Sequence, residues 1–334
     1  MQLDYISPWI QTTNECNLKC PYCHIKQNSE YMSDEVYELI FDKLYTSYKN
    51  GVTKKVYPRI SGGEPLLVFD RWKDKALDFK KKVGGDCLIE VLTNLTILPN
   101  DILKYVANNE FLLNVSLDGI DYSKPYKNGL SSSKVVLDNI ERLKKYQPHF
   151  YIMTTLQDNL VELPKLAEYV GENKFDWNIT LEHSYNGYPD YRDIVNTLKL
   201  VIKVLKDKRY DLEAVRFNYC GIGKQMSCRA GKELFAIYIN GDIFTCHTLF
   251  GSKPLANIKD GRDLIEIFTD KENSFNDLKL DDSCKVCSIG DICNGDCPLY
   301  NTQKRKKYFC KIAKEFMLSL IENKIEVCKE MLYA

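Results

Sequence analysis

Over about the first 185 residues the chain alternates between two textures. Apolar runs of strand length occur at 5–10, 55–60, 88–92, 112–117, 151–156 and 177–181. Between them, apolar residues recur at spacings of three and four: 35–48 (opened by Ser33 and Asp34 as a cap), 72–83, 101–108, 134–146 and 163–171. Spacings of three and four mark one face of a helix, and short apolar runs mark strands. Six strands alternating with helices predict parallel βα units. The expected α/β fold is a partial (β/α)6 TIM-like barrel, an open three-quarter form of the eightfold barrel. In such folds chemistry collects on the loops after the C-terminal ends of the strands.

Residues 191–206 read as an amphipathic helix, with Ile194, Leu198, Val201, Ile202 and Leu205 on one face. It should close the barrel and lead into a different region. From about Tyr210 the regular alternation is lost and glycine and aspartate increase. Residues 235–238 and 243–245, joined by Asn240-Gly241, read as a β-hairpin. A final helix is expected over 313–331. The implied division is a barrel over 1–190, a bridging helix over 191–212 and a small irregular α+β region over 213–334. No internal repeat or low-complexity segment is evident.

Composition narrows the functional classes. The chain has 334 residues, 44% of them hydrophobic, and a formal net charge of zero. The Lys304–Lys307 run (KRKK) is short and reads as a solvated patch, so nucleic acid is not an expected partner. No stretch of 18 apolar residues occurs and no charged-then-apolar leader opens the chain. A soluble, cytoplasmic protein without a membrane partner is therefore expected. Cysteine is the outlier, with 13 in the chain. A secreted disulfide scaffold would be shorter and would carry a leader. Clustered cysteines in a cytosolic chain read instead as metal or cluster ligands. Cys87 and Cys328 stand apart from the groups and read as buried structural thiols.

The first group follows the first strand: Cys16, Cys20 and Cys23, spaced C-x3-C-x2-C. Three thiolates on one tight loop can hold three irons of a [4Fe-4S] cluster and leave the fourth iron open for an outside ligand. A zinc knuckle or a redox cysteine pair is the alternative on the loop alone. A second field holds Cys228, then Gly241, then Cys246, giving C-x12-G-x4-C, followed by Cys284-x2-Cys287-x5-Cys293-x3-Cys297 and Cys310. Cys220 supplies an eighth thiolate, enough with the other seven to saturate two [4Fe-4S] clusters. Structural zinc is the alternative there.

The loop, with Tyr22 just before its last cysteine, resembles the signature of the radical S-adenosylmethionine (radical SAM) enzymes. Further motifs fall at predicted strand ends: Ser61-Gly62-Gly63-Glu64-Pro65, Thr93-Asn94 and Ser116-Leu117-Asp118-Gly119. The resemblance implies that Gly62, Gly63 and Glu64 meet the SAM amino group and that Ser116 reaches SAM with Asp118 nearby. It also implies that Asn94 lies at the site and that Leu181 packs on the adenine. The open iron would chelate SAM, whose one-electron cleavage yields a radical that abstracts a substrate hydrogen atom. The second field resembles the SPASM extension of the same family. By that likeness Cys220, Cys228, Cys246 and Cys297 would hold a nearer auxiliary cluster, and Cys284, Cys287, Cys293 and Cys310 an outer one. The implied cofactors are SAM and three [4Fe-4S] clusters, with a flavodoxin or ferredoxin as reductant.

One departure stands out. Family members that oxidise sulfatases usually follow the SLDG run with His-Asp and an arginine that reaches SAM. Here the run is IDYSKPYKNGLSSS, so Lys127 or Asn128 would have to take the arginine's place. Two saturated auxiliary clusters favour net oxidation of the substrate. The resemblance thus points first to a peptide maturase that cross-links a ribosomally made precursor, with leader recognition by a separate protein or by the barrel itself. An anaerobic sulfatase-maturing (formylglycine-generating) enzyme comes second, and a small-molecule dehydrogenase third. His24 and His183 are expected to face the cavity, His247 follows a cluster cysteine and His149 should lie at the surface.

Overall fold

The computed structural model describes residues 2–121, 124–146, 149–182, 189–212, 215–217, 230–269, 282–289, 293 and 303–322. The first half is built as the hydrophobic pattern requires. Strand β1 (Leu3–Gln11) leads into the cysteine loop and then helix α1 (Asp34–Lys49). The Ser33 side chain accepts from the Val36 backbone N–H at the helix start, and Asp34 and Glu35 sit in the first turn where the helix dipole favours them. Val36, Tyr37, Ile40, Phe41 and Leu44 bury the inward face.

The expected second strand is split. Residues 53–61 form β2 (Thr53–Val56) and β3 (Arg59–Ser61), separated by Tyr57-Pro58. Pro58 has no N–H to give to a ladder, so continuous pairing breaks there. Strand β2 pairs with the start of β1, while β3 pairs with its end and passes the sheet on to β4 (Glu90–Thr93). The sheet continues in parallel through β5 (Leu112–Ser116), β6 (Phe150–Leu156) and β7 (Asp176–Leu181). Helices α2 (Phe69–Val83), α3 (Asn100–Asn108), α4 (Ser133–Leu143) and α5 (Leu163–Asn173) are the crossovers. On β6, Phe150, Ile152, Thr154 and Leu156 are buried while the intervening residues face the more open side. The α/β partial-barrel expectation is met.

The second region extends this sheet at both edges. After α6 (Tyr191–Asp207), strand β8 (Val215–Phe217) pairs in parallel with β7. The hairpin forms as β9 (Leu234–Ile237) and β10 (Asp242–Phe244), and β9 pairs in parallel with β1. A short β11 (Ala256–Asn257) pairs with β10. Gly241 has φ +89°, and a Cβ there would meet Ile258 Cγ2 at 2.7 Å, which fixes glycine at the hairpin turn. Short helices α7 (Leu264–Thr269) and α8 (Asp282–Lys285) precede the last helix, α9 (Gln303–Glu322). This helix begins at Gln303 rather than at the expected Ala313, because its polar first turns mask the period. Phe309, Ile312, Ala313, Phe316 and Met317 are its buried face. Among the described residues no helix is long and apolar enough to cross a membrane.

Candidate active site

The cysteine loop is held by the backbone of its neighbours. Pairing between β1 and β3 runs on past the strand ends: Thr12 N donates to Ser61 O at 2.8 Å, Gly63 N to Thr13 O at 2.8 Å and Glu64 N to Glu15 O at 2.8 Å. A Cβ on Gly63 would lie 2.2 Å from Glu15 O, so the Gly-Gly pair brings two backbones together immediately before Cys16. The other side of the loop is tied down by Lys19 N donating to Pro125 O at 2.8 Å and by a β-bridge between Leu18 and Tyr126.

Glu64 is 1% exposed and accepts hydrogen bonds from Leu66 N (3.1 Å), Thr93 Oγ1 (2.7 Å) and Asn94 N (2.7 Å). Burial pushes its carboxyl up to about 7, against the pull of these donors and of Lys124. It thereby joins the β3 and β4 ends beneath the loop. The Asn94 amide donates to Asn17 Oδ1 at 3.0 Å and toward Cys16 Sγ at 3.7 Å.

The loop thiols are graded in exposure: Cys16 is buried, Cys20 partly buried and Cys23 exposed, and all three are free. Burial pushes Cys16 up to about 12 and Cys20 up to about 11, with Lys124 the largest opposing influence on Cys20. Among the described residues no three His, Cys, Asp or Glu side chains converge as ligands of one ion. Three free thiols on one pinned loop could each bind a separate iron of a cluster.

Asp118 lies on the opposite wall. Tyr22 OH donates to Asp118 Oδ2 at 2.5 Å, and Thr155 N donates to Oδ1 at 2.9 Å. Burial, then the Asp118 charge, pushes the Tyr22 phenol well above its ordinary value. Lys124 Nζ lies 3.3 Å from Asp118 Oδ2 and 5.8 Å from the Tyr22 ring centroid. This cation was missed by the sequence reasoning. Lys127 and Asn128, expected in the arginine's place, are both exposed, and the Asn128 side chain accepts from Leu130 N. Lys124 precedes Pro125, which biases it toward extended backbone, and the next two residues are tied to the loop. No local signal separates Lys124 from Lys127, since burial here is set by the fold.

Ser116 ends β5 on the face opposite the buried Val115. Leu181 joins the buried core with Trp177 and Ile179. Cys246 follows β10, and the next residue, His247, stacks on Trp9 with ring centroids 4.0 Å apart. His247 also lies 5.6 Å from His24, which adjoins Cys23. The two cysteine fields therefore meet at these histidines, and burial lowers the pKa of His24. Cys284 lies on α8, Cys287 and Cys293 are partly buried and Cys310 lies exposed on α9. Cys220, Cys228, Cys297, Cys328 and His183 lie outside the described residues. His149 is exposed and Cys87 is buried, both as expected.

Residues 10–170 match the Radical SAM superfamily. This stretch is a radical SAM domain. A cysteine-type anaerobic sulfatase-maturating enzyme of Clostridium perfringens is 23% identical to the chain over 349 aligned positions, spanning 90% of this chain and 92% of that one. A serine-type anaerobic sulfatase-maturating enzyme of Bacteroides thetaiotaomicron is 25% identical, spanning 85% and 80%. Among solved structures, native anSMEcpe with bound AdoMet and Cp18Cys peptide superposes with a TM-score of 0.77 at 21% identity, covering 96% of this chain and 97% of that one. Streptococcus suis SuiB bound to precursor peptide SuiA gives 0.64 at 17% identity, covering 89% and 72%. These superpositions share the fold of the radical SAM domain described above.

Proposed function

We propose that the chain is a radical SAM maturase that oxidises a residue within a peptide or protein segment. The observation that carries this reading is the pinned loop of three free thiols after β1, closed by Gly63 and Glu64 on one side and by Lys19 and Tyr126 on the other. SAM on a [4Fe-4S] cluster there would supply hydrogen-atom abstraction after one-electron reduction. Cys16, Cys20 and Cys23 would hold that cluster, and Asn94 would donate toward the Cys16 sulfur. Tyr22, Ser116 and Asp118 would form the facing wall. Glu64 acts through position, because its carboxylate is taken up by three protein donors.

The second cysteine field would hold two auxiliary clusters. Its Cys246 is brought to the same mouth through His247 and His24. An electron acceptor at that place suits a reaction whose substrate loses a second electron.

Two substrate readings have separate support. Similarity over 92% of the length of the Clostridium perfringens enzyme favours oxidation of a cysteine or serine to formylglycine. The likeness to SuiB, together with the absent His-Asp and arginine run, favours cross-linking of a ribosomally made precursor. We place the formylglycine reading first. The similarity behind it runs over nearly the full length of both chains, and Lys124 puts a cation beside Asp118 just after the SLDG run.

The test is anaerobic turnover of the reconstituted chain with SAM and dithionite on two peptides. One carries a sulfatase-type cysteine, and the other is a short precursor encoded beside this chain. An aldehyde trapped by a hydrazide on the first peptide supports the formylglycine reading. Loss of hydrogen without an aldehyde on the second supports cross-linking. If no 5'-deoxyadenosine forms with either, the maturase reading fails.

A further inference from the structure

Two carboxylates, Asp118 at 2% and Glu64 at 1% exposure, are buried around the cysteine loop together with Cys16. The thiolates of a loaded loop add further negative charge. Against these, the described residues set one buried cation. Among the described residues Lys124, 8% exposed, is the only lysine or arginine in the buried class. A buried ammonium costs several kcal/mol in desolvation unless it is paired, and here Asp118 pairs it beside the loop. Its pairing geometry is fixed: Asp118 at 3.3 Å, the Tyr22 ring at 5.8 Å and the Lys19–Pro125 and Leu18–Tyr126 ties that hold its segment against the loop.

We propose that Lys124 is a positioning residue that sets the charge balance of the cysteine loop and thereby the reduction potential of the cluster the loop would hold. The inference rests on the radical SAM reading. Charge near a cluster tunes its potential, and in a site shielded from water one charge acts strongly. Reduction adds one electron, delivered by an external low-potential donor, to a site already rich in negative charge. Lys124 offsets that charge, and Asp118 adds to it. The two members of the pair should therefore move the potential in opposite directions.

The experiment is a redox titration of the reconstituted full chain, followed by electron paramagnetic resonance through the cluster signal that SAM perturbs. Lys124→Met should make that cluster harder to reduce, on the order of tenfold in the reduction equilibrium, which is about 59 mV for one electron. Asp118→Asn should make it easier to reduce. The double variant should return close to the wild-type value, and so should Lys124→Arg. Lys134→Met, which removes an exposed lysine from α4, should leave the potential where it was. Shifts of the same sign in the two single variants, or no shift in either with the signal intact, would overturn the proposal. If Lys124→Met fails to load its cluster, Asp118→Asn and Lys124→Arg still decide: a lowered or unmoved potential in the first, or a displaced one in the second, overturns it. A wild-type protein with no SAM-sensitive signal would instead bring down the radical SAM reading.

Discussion

The two cysteine fields are built in different ways. The loop after β1 is organised by the barrel: backbone bonds from Gly63, Glu64 and Lys19 fix its course, and the buried pair Asp118–Lys124 closes its far wall. In the second field, Cys246 and Cys284 sit on slight supports, while Cys310 lies on the 20-residue α9. Cys246 follows a three-residue strand, Cys284 lies on a four-residue helix and Cys310 is exposed on α9. A site whose backbone is already paired can exist before its cofactor arrives. One whose ligands rest on short elements draws folding energy from the cofactor itself.

The sharpest break of this comparison is to remove each field in turn. Replacing Cys16, Cys20 and Cys23 together by Ala should abolish 5'-deoxyadenosine formation, leave the barrel folded and keep roughly two thirds of the iron of three clusters. Iron analysis and deoxyadenosine quantification check it. Replacing Cys284 and Cys287 should cost one cluster and stop product formation while some SAM cleavage survives. Because clusters held there would contribute to folding, the variant must first be shown soluble and compact by size-exclusion chromatography. A compact variant that makes product at the normal rate would remove the redox role given to the second field.

Smaller changes probe the barrel's hold on its loop. Gly63→Ala forces a methyl group into Glu15 O and should cost about 1–3 kcal/mol, with loss of the SAM-sensitive signal before any loss of the second field's iron. Thermal unfolding together with resonance spectra reads both. Glu64→Gln sets an amide N–H against the Asn94 or Thr93 and Leu66 donors and should cost about 1–3 kcal/mol. Its pH dependence gives a second readout. With its carboxyl pushed up to about 7 by burial, Glu64 binds a proton more tightly folded than unfolded. Its contribution therefore favours folding at low pH and is lost as pH rises through about 7. Unfolding of the glutamine variant should lack this component. The smallest effect concerns loading. Iron must displace protons from Cys16 and Cys20, held up at about 12 and about 11, so regain of visible cluster absorbance should quicken as pH is raised.

What the sequence determined by itself is what short spacing records. The six βα alternations, the cap at Ser33, the hairpin turn at Asn240-Gly241 and the C-x3-C-x2-C loop all depend on residues a few positions apart. Their periods and turn chemistry are therefore readable along the chain. The break at Pro58 is missed, because the 55–60 run reads as one strand although a missing N–H interrupts a ladder wherever it falls. Tertiary structure alone decided the rest. That Lys124 and not Lys127 becomes the buried cation depends on which side of one turn meets the loop. That β9 adds to β1 and that His247 reaches His24 depends on pairing across more than two hundred residues. Such pairings are chosen by the fit of whole faces and by the satisfaction of buried charges. No local period along the chain carries that information.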